Sequence, residues 1–507
     1  MRKSFFFCII ISSGMLMSCA AGKTYSPAKK FSQQALQKDF MLLREILEKK
    51  HPGLYWYTSR DSMNMYFTKY FNVIKDSMTD QQFAWQIMAP LVDKIHCGHT
   101  SVGSSKAYQK WAAGKRLPSF PLFLKVWNDS MVVTSNLNRK DSIFKRGTLI
   151  TSVNGVSNSN QVKKMFDYLP EDGFANNVNY IRLSGNFPYY HRNIYGLSQK
   201  YVVTYLDAAG QEKKAEIPLF TPVKDTSKKT VKATDRINRP APARTKKILF
   251  YRSLAIDSAG HMATITLNSF NKGMLRSFFK KSFKELRKKH ISNLVLDLRS
   301  NGGGKVNAST LLTKYISRKP FKIADSVYAV SRGLGQYARY IKGGWLNNVE
   351  MFFISSKRKD GKYHVGMLEK KILHPKKKNH YNGNVYVLIN GPTFSASTIF
   401  CNAIKGQPGI TLVGEETGGG WHGNSGIMIP DIRLPHTKNT VRLPLYKLVQ
   451  YNHVPKTGTG ITPDIYVGTN YAALLQGIDY KMKVVKEIID KTHSDLGAHP
   501  INLKTVK

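Results

Sequence analysis

The chain has 507 residues, 42% of them hydrophobic, which is enough for about two to four domains and excludes an intrinsically disordered protein. Lysine and arginine number 77 against 32 acidic residues, a formal net charge of +45. Such a charge favours an anionic partner, whether nucleic acid, lipid headgroups or envelope polymers. The cations are spread along most of the chain, and no zinc-finger, basic-zipper or RNA-binding signature is present. We therefore interpret them as a solvated basic surface and expect no nucleic-acid partner. A membrane-adhesion module stays open as an alternative, and it would need one dense basic face.

The first residues, MRKSFFFCIIISSGMLMSC, predict export of the chain. Arg2 and Lys3 precede an apolar run and then small residues, the order of a secretory signal, and the run is too short to be a good membrane span. Its end, LMSC, resembles a bacterial lipoprotein signal, which implies that residues 1–18 are removed and that Cys19 receives a lipid. The alternative is an ordinary cleaved signal in which Cys19 is incidental. We expect a membrane-anchored lipoprotein of the cell envelope that faces the periplasm.

Residues 19–115 are predicted to form a helical N-terminal domain. The stretch FSQQALQKDFMLLREILEKK has apolar residues at helical spacing and is ended by a Pro-Gly pair. A second apolar, periodic run covers Phe83–Ile95 and stops just before HCGHTSV. Residues 116–222 change to short β-rich runs separated by turn residues, with QVKKMFDYL as one helix among them. Residues 223–247 are basic and nearly devoid of large apolar side chains, which is typical of a linker.

Residues 248–490 alternate between strands and helices, and residues 491–507 form a tail. The strand ISNLVLDLRS is nearly all apolar, as in buried parallel sheets, so this region is predicted to be an α/β domain. Three glycine-rich loops leave strand ends: RSNGGG, GPTFSAS and EETGGGWHGN. Ligands gather at the carboxyl ends of such strands, so we expect these loops to share one cleft.

The stretch GPTFSASTIF carries two serines, Ser395 and Ser397, at a predicted helix start. A serine in that place is usually an N-terminal cap, and it is a nucleophile only where a base removes its proton. The residues alone leave these alternatives open.

Three motifs, LVLDLRSNGGG, GPTFSASTIF and GEETGGG, resemble those of the C-terminal-processing, or tail-specific, serine peptidases. They stand in the family's order, and GTGITPDIYV resembles the end of its core. The resemblance implies a crotonase-like (ClpP/crotonase) α/β core for residues 248–490 and a PDZ-like, β-rich domain for residues 116–222. The helical domain resembles the cap of Bacteroidetes-type lipoprotein members.

The resemblance assigns the site residue by residue. It makes Ser395 the nucleophile and Ser397 a packing residue at the helix start. It implies two oxyanion donors, the amide of Ala396 and that of Gly303, with Gly302 as the next choice after Gly303. It implies that the three loops bind substrate through Gly302, Gly304, Gly418, Gly419, Gly420 and Asn424.

The general base must differ from that of the better-known members of the family, because Gly420 stands at the position where they have a lysine. CGHTS resembles the histidine motif of the tricorn-like and interphotoreceptor-retinoid-binding-protein-like branch, which implies His99 as general base, with His96 as the weaker choice. Thr457 stands about where that branch has its acid. Glu415 or Asp93 is therefore the expected acid, with neither preferred by the sequence.

We accordingly predict an exported serine endopeptidase that cleaves envelope, unfolded or tailed proteins and needs no metal or other cofactor. The alternative is a peptide-binding lipoprotein of the same fold with little or no catalysis. Cys97 and Cys401 are predicted to be small buried residues, with a disulfide between them as the other reading. The sequence leaves the oligomeric state open.

Overall fold

The computed structural model describes residues 25–222, 244–257 and 261–498. The predicted signal, Cys19, most of the predicted linker and the last nine residues lie outside these ranges. Within the described ranges, no helix has the length and apolar character needed to cross a membrane.

The N-terminal region is helical, as predicted. The first helix begins after Ser32, whose side chain accepts a hydrogen bond from the Ala35 amide, and it ends at Lys50 just before the Pro-Gly pair. The run predicted from Phe83 contains a π-helical stretch, Phe83–Met88, between two short α-helices. The helices are α1 (Gln33–Lys50), α2 (Arg60–Asn72), α3 (Asp80–Gln82), α4 (Ala89–Asp93) and α5 (Lys106–Ala112), and the strands are β1 (Lys30–Phe31), β2 (Met78–Thr79) and β3 (Val102–Gly103).

The middle region is an antiparallel sheet covered by helices. Its strands are β4 (Leu122–Trp127), β5 (Ser130–Asn136), β6 (Leu149–Val153), β7 (Val156–Ser157), β8 (Lys200–Leu206) and β9 (Glu212–Pro218). The predicted helix α6 (Asn158–Phe166) is present. A longer helix, α7 (Asn177–Tyr195), was not predicted, because it is rich in aromatics and asparagine and contains Pro188. It bends at Asn186 and is held by burial of its apolar face against the sheet.

The C-terminal region is built on a six-stranded sheet, which confirms the α/β prediction. The sheet order is β10 (Arg252–Asp257), β11 (Met262–Leu267), β12 (Asn293–Asp297), β16 (Asn384–Ile389), β17 (Ile410–Gly414) and β22 (Ile465–Tyr466). All neighbours except the β10–β11 pair are parallel. The flanking helices are α8 (Arg244–Tyr251), α9 (Leu275–Lys288), α10 (Val306–Ile316), α13 (Ala396–Ile404), α14 (Tyr471–Gln476) and α15 (Tyr480–Ala498). Helix α8 begins inside the predicted linker, and α15 continues into the predicted tail.

Two further sheets lie outside the six-stranded sheet, and the sequence analysis did not predict them. One contains β14 (Ser356–Lys357), β15 (Tyr363–His364), β13 (Ala324–Ala329), β21 (Tyr446–Gln450) and β18 (Gly423–Ile427), and the other contains β19 (Asp431–Arg433), β20 (Thr440–Arg442) and β3. Helices α11 (Gly344–Ile354) and α12 (Gly366–Lys370) accompany them. Because β3 follows His99 directly and pairs with β20, the histidine segment is fastened to the C-terminal region.

Candidate active site

Ser395 lies at the carboxyl end of β16, at the turn into α13. Its φ of 57° and ψ of −118° are a strained backbone conformation for a residue with a side chain. Its side chain makes no capping hydrogen bond to the helix. The capping interpretation of Ser395 therefore fails, and its hydroxyl is available for other chemistry.

Ser397 has a different environment. It is fully buried, and its hydroxyl donates a hydrogen bond of 2.9 Å to the carbonyl oxygen of Asn301. This bond joins α13 to the glycine loop that follows β12. The two serines are thus separated in role, with Ser397 serving as a packing residue.

The glycine loop, residues 302–304, packs directly against Ser395. A Cβ added to Gly303 would stand 2.8 Å from the Ser395 Cβ and 3.0 Å from the Ala396 nitrogen, and the φ of Gly303 is +95°. Only glycine allows this backbone conformation and this close approach. The loop therefore borders the space in front of the serine, where a reacting carbonyl would stand.

The amides near Ser395 are not equivalent. The Gly303 N–H donates to the Asn301 Oδ1 at 3.0 Å, so its hydrogen bond is already made. Within the described residues, no hydrogen bond is recorded for the N–H groups of Ala396 and Gly302. Ala396 and Gly302 therefore have the freer amides.

His99 lies beside Ser395. A Cβ placed on Gly426 would stand 2.9 Å from the His99 Nε2 and 3.1 Å from the Ser395 Oγ, so both atoms face the same point. The ring packs on Phe394 with a centroid separation of 4.7 Å. His99 is buried, and neither ring nitrogen has a hydrogen-bond partner among the described residues. The ring is therefore held in place by packing.

A carboxylate that the sequence analysis did not identify, Asp172, faces the other side of the imidazole. Its Oδ1 lies 3.7 Å from the His99 Nδ1, and both side chains are almost fully buried. The same oxygen accepts a hydrogen bond from the Gly98 amide at 2.9 Å, which ties the acid to the histidine segment. His96 is placed apart from Ser395 and pairs with Glu171 at 3.3 Å. Two neighbouring acids of the middle region thus each face one histidine.

The acids expected from the sequence pair elsewhere. Asp93 lies 3.1 Å from the Lys94 ammonium, and burial raises the Asp93 pKa to about 7. Glu415 pairs with Lys481 at 2.5 Å. Within the described residues, the carboxylate recorded within ion-pair distance of His99 is that of Asp172.

The third loop, residues 418–420, is fastened to the turn that carries Ser395. The Gly418 and Gly419 amides donate to the carbonyls of Gly391 and Thr393, which hold the loop against the serine turn. Gly420, at the position of the family lysine, has its amide 3.5 Å from the Asp172 Oδ2.

A Cβ on Gly420 would point toward the Cβ of Asp172 at 3.4 Å. The space that a lysine side chain would need at position 420 is therefore bordered by the acid. Nearby, the Asn424 Oδ1 accepts from the Gly426 amide at 2.8 Å, whereas its Nδ2 is buried without a partner.

Lys447, a second residue not identified from the sequence, is buried near Asp172. Its ammonium lies 3.8 Å from the ring centroid of Trp56, and no ion pair is recorded for it within the described ranges. Burial lowers its pKa to about 8, and the charge of Asp172 partly opposes that shift. Tyr57, next to Trp56, has its pKa raised to about 12 by burial. A positive charge is therefore kept behind the acid in an apolar and aromatic environment.

Cys97 and Cys401 are free and buried. The prediction that they are small buried residues is confirmed, and the alternative of a disulfide between them is wrong. Cys97 packs in the core of the N-terminal region, and Cys401 packs in the core of the parallel sheet. Among the described residues, no cluster of three or more histidine, cysteine or acidic side chains is placed to hold a metal ion.

The missed residues carried weak local signals. Asp172 stands in the turn PEDGF between α6 and α7, where an acidic pair is unusual in so basic a chain. Lys447 stands in an apolar strand, LYKLVQ, where a lysine at an inward position is costly and so points to a special role. Neither signal identifies the partner, because pairing depends on which segments the fold brings together.

Comparison with known proteins agrees with the motif resemblance. Residues 261–467 match peptidase family S41. The structure of mature CPAF complexed with lactacystin is similar over 90% of this chain and 99% of its own, with a TM-score of 0.62 and 14% identity. Mature CPAF alone is similar over 91% and 96%, with a TM-score of 0.59 and 14% identity. At such identity the likeness establishes a shared fold. No curated protein matches this chain.

Replacing Lys447 by methionine should stabilise the protein. Below pH 8 the lysine is charged in both the folded and unfolded states, and burial makes the charge unfavourable in the folded one. We expect a gain of roughly 1 to 2 kcal/mol at pH 7, after the loss of the contact with Trp56. Above pH 8 the folded state loses the proton first, so the gain should shrink as the pH approaches 10. Thermal melts at pH 7 and pH 10 measure this, with the exposed Lys284→Met as control. A loss of stability at pH 7 would contradict the expectation.

Proposed function

Since residues 261–467 form a peptidase family S41 domain and the chain is a serine-type peptidase, we propose that Ser395 is its nucleophile and His99 its general base. The observation that carries the proposal is the convergence of the Ser395 Oγ and the His99 Nε2 on one point, within 3.1 Å of each. Rotation of the two side chains can bring a hydroxyl and an imidazole so placed into contact, so that they share a proton.

The proposed reaction is hydrolysis of a peptide bond in two steps. The His99 Nε2 takes the hydroxyl proton as the Ser395 Oγ attacks the carbonyl carbon, and it then gives that proton to the leaving amine. Water, deprotonated by the same nitrogen, then attacks the acyl carbon, and the nitrogen returns that proton to the Ser395 Oγ as the bond between the acyl carbon and Oγ breaks. The amides of Ala396 and the glycine loop stabilise the oxyanion, with Gly302 favoured over Gly303 as long as Gly303 donates to Asn301.

Asp172 is the proposed acid of this site, in place of Asp93 or Glu415. It faces the Nδ1 side of His99, and Ser395 faces the Nε2 side. A carboxylate at Nδ1 favours the tautomer with the proton on Nδ1 and stabilises the imidazolium that forms during attack. Its separation of 3.7 Å is longer than a hydrogen bond, and such contacts tighten when substrate binds.

The strained backbone of Ser395 favours an enzyme over a peptide-binding protein without catalysis. A strained residue that exposes its hydroxyl costs of the order of 1 to 3 kcal/mol, and such strain concentrates at sites that use it. We further propose that the substrates are unfolded or tailed polypeptides of the cell envelope. The β-rich middle region, as a PDZ-like domain, would present them, and the lipid on Cys19 would keep the enzyme at the membrane.

Ser395→Ala should abolish peptidase activity, by about 1,000-fold or more in kcat, because it removes the hydroxyl that attacks the carbonyl carbon. Cleavage of casein or of a tailed protein substrate measures the effect. Ser397→Ala is the matched control, because it removes a buried hydroxyl two residues away that bonds only to the Asn301 carbonyl. It should lose stability while retaining at least about a tenth of the activity. Activity that survives Ser395→Ala would refute the nucleophile.

Asp172→Asn should reduce kcat by about 100-fold or more and leave KM nearly unchanged, because the acid acts on the reaction through His99. Asp93→Asn separates the two acids, since Asp93 is equally buried but pairs with Lys94. It should change kcat by less than about threefold. A large loss in Asp93→Asn with an active Asp172→Asn would reverse the assignment.

Gly426→Ala should inactivate the enzyme without unfolding it. The added methyl carbon would stand 2.7 Å from the Asn424 Oδ1, 2.9 Å from the His99 Nε2 and 3.1 Å from the Ser395 Oγ, so these atoms would have to move away from it. A displacement of about 1 Å at reacting atoms costs about 100-fold in rate. Gly185→Ala is the control, because nothing lies within 4 Å of its added Cβ. Full activity in Gly426→Ala would mean that the two side chains do not meet at this point during catalysis.

A further inference from the structure

Helix α11, GWLNNVEMFFI, exposes its apolar side and buries its other side. Gly344 and Met351 are buried, and Asn348 accepts a hydrogen bond from the Leu334 amide at 2.7 Å, so positions 344, 348 and 351 face the protein. The opposite positions carry large apolar side chains in solvent. We call them the α11 apolar face: Trp345, Leu346, Val349, Phe352, Phe353 and Ile354.

The degree of exposure is high for side chains of this size. Trp345 is 71% exposed, Leu346 65% and Phe353 78%. Exposing contiguous apolar side chains to water is unfavourable, and such a patch usually marks a site that binds another protein or a membrane. Trp345 lies near one end of this face and Phe353 near the other. Tryptophan and phenylalanine are side chains that enter the boundary between headgroups and acyl chains of a bilayer.

Basic side chains flank the helix at both ends. Within residues 330–378 there are 12 lysines and arginines against three acidic residues, Glu350, Asp360 and Glu369. Two of these acids are paired with neighbouring cations or histidine. For five of the exposed cations no ion pair is recorded among the described residues: Arg332, Arg339, Lys342, Lys357 and Lys359. The sequence around the apolar face therefore carries an excess of positive charge.

We propose that the α11 apolar face and its flanking cations dock the enzyme on an anionic phospholipid bilayer. The apolar side chains enter the headgroup boundary, and the lysines and arginines contact lipid phosphates. A second copy of the chain is the less suitable occupant, because it would bring two basic surfaces together. The docking is independent of the peptidase chemistry and of any lipid on Cys19.

The test uses the full chain with Cys19→Ser, so that no lipid is attached, and vesicles of phosphatidylcholine with 30% phosphatidylglycerol. In a sedimentation assay, Leu346→Ser combined with Phe353→Ser should lower the partition coefficient by about tenfold or more. The control is Met65→Ser combined with Leu249→Ser, two side chains 58% and 55% exposed elsewhere. The control should leave binding unchanged, and raising the salt concentration should weaken binding.

A second readout locates the contact itself. Brominated lipids should quench the fluorescence of Trp345, so the loss of signal should be smaller in Trp345→Phe than in the parent chain. The proposal would be overturned if the α11 double variant and the control double variant bound the vesicles with the same partition coefficient. So would a dimer in solution that dissociates on Leu346→Ser and Phe353→Ser, since that result would assign the face to self-association.

Discussion

The site depends on the close approach of two loops at the carboxyl ends of neighbouring parallel strands. The glycine loop after β12 touches the turn after β16 at distances that only a residue without a side chain allows at Gly303. This contact supports Ser395 in its strained conformation, since the hydroxyl of Ser397 and the amide of Phe394 both bond to Asn301 at the base of the loop. The parallel register of the sheet fixes the two strand ends side by side, and the position of Ser395 beside the glycine loop follows from it.

The other half of the site comes from regions that the parallel sheet does not contain. His99 is carried by the N-terminal region, and Asp172 is carried by the turn between α6 and α7 of the middle region. The pairing of β3 with β20 and the bond from the Gly98 amide to Asp172 hold these segments against the serine turn. A site divided in this way is complete only when the three regions are docked, so a disturbance of their contacts would affect the chemistry even where each region stays folded.

The side chain of Lys447 is a buried cation that lowers the stability of the folded protein. Lys447 has a lowered pKa because burial penalises its charge, and it lies behind the acid that faces His99. Such groups commonly mark sites where function opposes stability. The surface shows a similar conflict at α11, where large apolar side chains stay in solvent beside unpaired cations. Packing does not explain either feature, and the proposed bilayer contact would account for the second.

The sequence by itself determined the elements whose signals are local. The strand–turn–helix around Ser395, the glycine loop and the α/β character of the C-terminal region follow from residue patterns within short windows, because neighbouring residues decide those conformations. The family resemblance added Ser395 and His99, which the residues alone left open. Only the tertiary structure placed a carboxylate beside His99, because Asp172 lies far from His99 along the chain and is brought to it by contacts between regions, whereas Asp93 and Glu415 pair with lysines. The tertiary structure also decided helix α7, because burial stabilises this helix although its sequence has a low helix propensity. It decided the exposed side of α11 as well, because the face of a helix that is covered depends on what the rest of the chain packs against it.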